Sequence, residues 1–307
     1  MDRPVIAVVG ATATGKSDLA LALAEALDGE VVNADASQLY TGMDIGTAKL
    51  APAQRRGVPH HQIDVLDISE EASVAAYQRC ARADIEAVLG RGRTPIVCGG
   101  SGLYVRAALD RLEIPPTDPR VRAAWEACLA ERGVESLYAE LARRDPAAAG
   151  AIDRRNTRRI VRALEVIELT GRPFSATMPR RDYVRPAVQL GLRLPREVLD
   201  RRIAARTERM WADGLPREVE ALESRGLSRT RTASRAVGYA QALGQLAGRL
   251  TQQEAVEDTV RATRRLVRRQ ESWFGADPRI AWLDAADPAL VATALRAATR
   301  DTAQWPS

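Results

Sequence analysis

An unbroken apolar run at residues 5–9 leads straight into Gly10-Ala11-Thr12-Ala13-Thr14-Gly15-Lys16-Ser17. Residues 16–27 follow with apolar positions at helical spacing. Strand, glycine loop and helix in that order are the context in which Gly-x-x-x-x-Gly-Lys-Ser/Thr acts as a phosphate loop, or P-loop. Backbone N–H groups of such a loop ring a phosphate. The helix N-terminus adds partial positive charge and Lys16 a full one. Ser17 is placed to ligate Mg²⁺. The eight residues from Gly10 to Ser17 therefore predict a pyrophosphate- or phosphate-binding loop, without naming the ligand. They also constrain the fold, because the strand feeding such a loop belongs to a sheet with helices packed against it.

The rest of the chain agrees. Residues 30–34 predict a second strand ending at Asp35. Residues 73–89 predict a helix, and residues 94–98 a third strand closed by Gly99 and Gly100. Strands alternating with helices give a parallel sheet covered on both faces. Ligands in such sheets bind at the carboxyl ends of strands, so Gly10, Asp35 and Gly99 converge on one edge. After Leu112 the character changes. A proline-rich stretch at 114–119 precedes predicted helices at 120–132, 134–143 and 154–169, punctuated by Gly133, Gly150 and Gly171. A strand at 187–194 and a helix at 197–211, with Gly214 past its end, return to the core. The chain stays helical to about Trp273. Trp282 and Leu283 suit a last edge strand, and residues 301–307 should fray. The expected fold is α/β: a P-loop parallel sheet core (1–114 and 186–307) with an all-helical insertion domain (115–185).

Composition narrows the function classes. Apolar residues are 46% of the 307, but aromatics only 4%, so Ala, Leu and Val must fill most of the core. The net charge of +5 favours a polyanionic partner, and the placement of the arginines says more than their number. Cys80, Cys98 and Cys128 are scattered, which argues against a disulfide scaffold or zinc site. His60 and His61 are the only histidines, too few for a histidine metal site, and a structural role suits them. There is no signal-peptide shape and no apolar run of membrane-spanning length. A cytoplasmic monomer without membrane attachment is expected. ATP hydrolysis is disfavoured, because the strand at 94–98 ends in Gly99-Gly100-Ser101 and lacks the acid that holds the metal in a P-loop NTPase. The one strand that ends in an acid is the one before Asp35.

The stretch Asn33-Ala-Asp35-Ala36-Ser37-Gln38-Leu-Tyr40-Thr41-Gly42-Met-Asp44-Ile-Gly46-Thr47-Ala-Lys49 resembles the signature of the tRNA dimethylallyltransferase (isopentenyltransferase) family. In order along the chain follow Val58-Pro59-His60-His61 with Asp64, then Gly99-Gly-Ser101-Gly-Leu-Tyr104. Next come Asp153-x-x-Asn156-x-x-Arg159-x-x-Arg162-Ala-Leu-Glu165 and Thr170-Gly-x-Pro173. Then come Arg202, Arg206, Met210, Gly214 and Glu218, then Ala236-x-Gly238-Tyr239, and last Thr263-Arg-Arg…Arg268-Arg-Gln270-x-x-Trp273. Each block is weak alone; their order across nearly the whole chain is specific. Ala11 departs from a frequent Pro, Thr41 from a frequent basic residue, and Ala36 from Ser, which removes a hydroxyl facing tRNA. Ser101 replaces Thr and keeps the hydroxyl. No Cys/His pair follows Trp273, which matches the bacterial type.

The resemblance implies transfer of a dimethylallyl group from its pyrophosphate to the exocyclic amine of the adenosine immediately 3′ of the anticodon. That amine is a poor nucleophile, and a carboxylate taking its proton would help. The resemblance gives that role to Asp35; by itself, an Asp at this point reads equally well as the cap of a turn. Arg206 would stabilise the leaving pyrophosphate beside Lys16 and Mg²⁺, with Arg202 and Met210 on the same helical face. Ser101 would bond phosphate or adenine. The candidate tRNA contacts are Asp35, Ala36, Ser37, Gln38, Ser101, Arg122, Arg158, Arg159, Ile160, Val161, Arg162, Arg235, Gly238 and Tyr239. Arg261, Arg264, Arg265, Arg268 and Arg269 form a further basic stripe with few intervening acids, and Gln270 and Trp273 would anchor its helix to the core. Three rival readings share part of this pattern. A small-molecule P-loop kinase leaves the arginines unexplained, and a prenyltransferase for free adenine nucleotide does not need the insertion. A non-catalytic RNA-binding protein would not need Lys16, Ser17 and Asp35 intact.

Overall fold

A computed structural model describes residues 3–177 and 181–300. The expected frayed tail, 301–307, lies outside the described residues. In chain order the elements are β1 (Val5–Gly10), α1 (Lys16–Leu27), β2 (Gly29–Asn33), β3 (His60–His61), α2 (Val74–Gly90), β4 (Thr94–Gly99), α3 (Gly102–Leu109), α4 (Pro119–Arg144), α5 (Pro146–Ala151), α6 (Thr157–Thr170), β5 (Ala187–Arg193), α7 (Arg196–Ala212), α8 (Leu215–Glu223), α9 (Tyr239–Leu246), α10 (Gln252–Gly275), β6 (Ile280–Asp284) and α11 (Leu290–Arg300). Two compact units result: residues up to Leu109 together with those from Tyr183 onward, and Asp110–Asp182.

The first unit holds a six-stranded sheet in the order β3-β2-β4-β1-β5-β6. Every pairing is parallel. All six residues of β1 are buried. Since successive side chains alternate in direction, both faces of that strand are covered. On one face Ile6, Val8, Ile96 and Leu190 pack with Leu19 and Leu23 of α1 and Ala294 and Ala298 of α11. Helices α2, α3 and α10 also pack on the central strands. A second apolar cluster joins α7 to α10 through Met210, Trp211, Leu215, Val219 and Tyr239, with Tyr40 and Met43 from the loop after β2. His60 and His61, expected to be structural, form a short strand along β2, and His61 Nε2 lies 2.7 Å from the carboxylate of buried Glu30. Among the described residues no helix is long and apolar enough to cross a membrane.

The second unit is helical and has its own core, with Leu137, Leu141, Ile160, Val161 and Leu164 at its centre. Two helices expected at 120–132 and 134–143 run as one element, broken only where Gly133 takes φ 76° and ψ 170°. A residue with a Cβ would strain at that angle. The short helix α5 was not expected from the sequence. Its Asp145 cap also accepts hydrogen bonds from the backbone and hydroxyl of Ser175. A polar knot lies beneath the surface of this unit. Glu165, fully buried, accepts bonds from Arg122 at 2.8 Å, Arg162 at 2.8 Å, Thr117 at 2.8 Å and the Asp118 N–H at 3.0 Å.

Candidate active site

Strands β2, β4 and β1 are neighbours and parallel, so Asp35, Gly100-Ser101 and the loop after Gly10 stand side by side at their carboxyl ends. Backbone and side-chain bonds lock the three together. Ala34 accepts from the Ser101 N–H at 3.2 Å, and the Ala36 N–H donates to Ser101 Oγ at 3.2 Å. Gln270 reaches in from α10: its Oε1 accepts from the Thr12 N–H at 2.9 Å, and its Nε2 donates to the Gly100 carbonyl at 3.0 Å. Arg206 on α7 donates to Thr12 Oγ1 at 3.2 Å and to the Thr47 carbonyl at 3.5 Å.

Two cavities meet at this seam, sharing Thr12, Asp35, Thr47, Gly100 and Arg206 in their walls. The larger, about 1150 Å³, is charged. Lys16, Ser17, Arg202, Arg206 and Arg209 line it, with Lys49 and Arg55 further along. The smaller, about 510 Å³, carries the apolar and aromatic side chains: Leu103, Tyr104, Ile203, Leu266 and Trp273, joined by Ser37, Ser101, Arg235 and Arg269. Lys16 Nζ donates to the Ala11 carbonyl at 2.7 Å. Burial pushes its ammonium down to about 8; Cys98 and Asp35 oppose that lowering and Arg206 adds to it. Burial likewise pulls the Arg206 guanidinium down, against the pull of Asp35.

Asp35 does two things at once. Its Oδ1 accepts the Ser37 N–H at 3.0 Å and caps the turn Ala36–Leu39. Its Oδ2 has no hydrogen-bond partner among the described residues. Turn cap and proton acceptor are therefore compatible roles for one carboxylate. The arrangement offers a phosphate-loop pocket in which Lys16, Arg202, Arg206 and Arg209 stand beside Asp18 and Asp213, an aromatic pocket for a planar group, and a carboxylate and a guanidinium between them. Group transfer from a phosphorylated donor on one side to an acceptor on the other is the chemistry this geometry allows.

Residues 38–277 match the family model described as IPP transferase. The chain belongs to the IPP transferase family. A tRNA dimethylallyltransferase of Kineococcus radiotolerans is 61% identical over 92% of this chain and 92% of its own. One of Thermobifida fusca is 58% identical over 97% of this chain and 98% of its own. Among solved structures, the full-length tRNA isopentenylpyrophosphate transferase of Bacillus halodurans superposes with a TM-score of 0.71 at 37% identity, covering 98% of this chain and 96% of that one. A eukaryotic dimethylallyltransferase acting on tRNA gives 0.79 at 27% identity, covering 93% of this chain and 74% of that one.

In this family member the remaining predicted site residues separate by surroundings. Ala36, Ser37 and Gln38 form the turn that Asp35 caps, and Arg235 is exposed at the aromatic cavity. Tyr239 is fully buried and its hydroxyl donates to Glu218, whose carboxylate also holds the N–H groups of Asp44 and Ile45. It thus sets the loop that carries Thr47, and its side chain is covered; Gly238, buried beside it, caps α9. Ile160 and Val161 belong to the core of the second unit, so their side chains are likewise closed to a partner. Arg122 and Arg162 are committed to Glu165, whereas Arg158 and Arg159 are exposed. The basic stripe is partly neutralised. Arg261 pairs with Glu257 and Asp258, and Arg264 with Asp200, an acid on α7. Arg265 and Arg268 are exposed and have no ion-pair partner among the described residues. Several lining residues were not anticipated, among them Leu103, Ile203, Leu266 and Arg209. Arg209, one helical turn beyond Arg206, was legible from periodicity; the grip of Gln270 on the phosphate loop was not.

Proposed function

We propose that this protein transfers the dimethylallyl group of dimethylallyl pyrophosphate to the exocyclic N6 amine of the adenosine immediately 3′ of the anticodon in tRNA, releasing pyrophosphate. One observation carries the reading: a phosphate-loop cavity and an aromatic cavity share a wall that contains Asp35 and Arg206. The names of the relatives point the same way. The donor pyrophosphate lies against the loop amides, Lys16 and Arg206, and the target base enters the aromatic cavity, splayed from its stack. As the amine nitrogen bonds to the allylic carbon, the carbon–oxygen bond to pyrophosphate breaks. The amine proton passes to the open oxygen of Asp35. Negative charge growing on the leaving group meets Lys16 and Arg206 in a partly buried site, where such contacts act most strongly.

The Ser17 hydroxyl faces the same cavity. One hydroxyl beside a pyrophosphate suits Mg²⁺, which keeps several waters and takes most other ligands from substrate phosphates. Bound there, the ion would neutralise leaving-group charge. The helical unit would hold the anticodon stem–loop through the exposed Arg158 and Arg159 of a cytoplasmic enzyme.

Incubation with dimethylallyl pyrophosphate, Mg²⁺ and unmodified tRNA should add the dimethylallyl mass to one adenine, and AMP should be a poor acceptor. Stoichiometric ATP consumption coupled to modification, or AMP accepted as readily as tRNA, would overturn the assignment.

A further inference from the structure

Trp273 lies 45% exposed on α10, although tryptophan is the largest apolar side chain the chain owns. The ring is nevertheless seated. A Cβ built on Gly102 would fall 2.0 Å from the Trp273 indole, so the indole rests directly on the Gly102 backbone. Leu103, next in the chain, is 42% exposed, and both residues line the aromatic cavity. The indole Nε1–H has no partner among the described residues. Arg269 and Arg235 are exposed on the wall of the same cavity, and the exposed Arg268 precedes Arg269 on α10. A fixed aromatic face with apolar and guanidinium neighbours, open to solvent, suits a nucleobase stacked on the ring with its phosphates held by the arginines.

We infer that Trp273 on its Gly102 seat is a stacking platform for one unstacked RNA base flanking the target adenosine. The inference rests on the proposed RNA substrate. The target base must reach Asp35 within the cavity, and an exposed ring at the opening is left for the next base along the strand. That base would enter with its neighbour when the loop is splayed. Stacking would fix the strand while leaving donor binding to the other cavity.

The test uses the full-length enzyme and an unmodified anticodon stem–loop RNA, alone and with an abasic nucleotide at either position flanking the target. Trp273→Ala should weaken stem–loop binding roughly tenfold to a hundredfold, with the KM for dimethylallyl pyrophosphate unchanged, both read at a temperature where the variant remains folded, since losing the seated part of the ring lowers the melting temperature. Trp273→Phe should recover most of the loss. In the wild type one abasic position should weaken binding by a similar factor, and in Trp273→Ala that position should cost nothing more. Wild-type affinity in Trp273→Ala, or losses that simply multiply, would remove the platform. Because affinity is read directly, an enzyme that binds the stem–loop without transferring the group would refute the proposed activity and still decide the stacking question.

Discussion

Asp35 has its two oxygens in different employment, and substitutions can separate them. Asn at this position keeps an oxygen to accept the Ser37 N–H but takes no proton at neutral pH. Asp35→Asn should keep its melting temperature and RNA affinity while the single-turnover rate falls roughly a hundred- to ten-thousandfold. Asp35→Ala should in addition lose about 1 kcal/mol as the cap disappears. A normal rate in stable Asp35→Asn would take the carboxylate out of the chemistry. Lys16 sets a pH limit. Its ammonium, brought down to about 8 by burial, is charged below that pH and neutral above it. The kcat/KM for the donor, which reports free-enzyme ionisations, should therefore hold below pH 8 and fall above it. Lys16→Arg stays charged, so if it shows the same alkaline fall, another group is responsible.

At the scale of elements, the helical insertion is tied together by Glu165. Burial alone would raise this carboxylate, but bonds from Arg162, Arg122, Thr117 and the Asp118 N–H outweigh burial and hold it below the usual range. A carboxylate lowered by folding stabilises above its unfolded pKa, and the contribution is lost as pH falls through the folded value. Removing a buried charge partner costs about 3–5 kcal/mol. Arg122 and Arg162 keep partial solvent access, which places Glu165→Ala toward the lower end. Hydrogen exchange should show residues 110–170 opening more readily while β1 and β4 stay protected. Equal loss of protection in both units would mean they unfold as one, and uniform protection would mean that the knot is dispensable. The same knot gives Arg122 and Arg162, two arginines expected at RNA, an intramolecular partner in Glu165.

For the whole molecule, a net charge of +5 spread over 307 residues is a small field; which arginines stay unpaired matters more. Neutralising Arg265 and Arg268 together should weaken tRNA binding and lower the slope of log affinity against log salt by roughly one to two. Neutralising Arg261 and Arg264, already paired with Glu257, Asp258 and Asp200, should change the slope less. Equal effects from both pairs would show that the intramolecular pairs dissolve when RNA arrives.

The phosphate loop, the parallel sheet and the meeting of Gly10, Asp35 and Gly99 at one edge were legible from the chain alone. Each depends on short-range rules: a loop between strand and helix, alternation of element types, ligands at strand ends. The helix start at Ser73 was legible because its cap is local, whereas the helix placed from 154 begins only after Asn156 and the start at Thr251 was not drawn. The strand at His60 was hidden because two residues carry no periodicity. The fates of Arg264 and Arg122 were hidden because their acids, Asp200 and Glu165, lie far away in sequence; the pairs of Arg261 with Glu257 and Asp258 and of Arg162 with Glu165 are local and could have been read from helical spacing. Gln270 read as a helix anchor, and only folding shows that it grips the Thr12 amide, 258 positions away. Trp273, one turn on, read the same way; its ring rests on Gly102 and its other part is exposed. Local chemistry determined the loop and the sheet edge; burial and long-range pairing, which exist only after the chain has folded, decided which side chains remained free to meet a substrate.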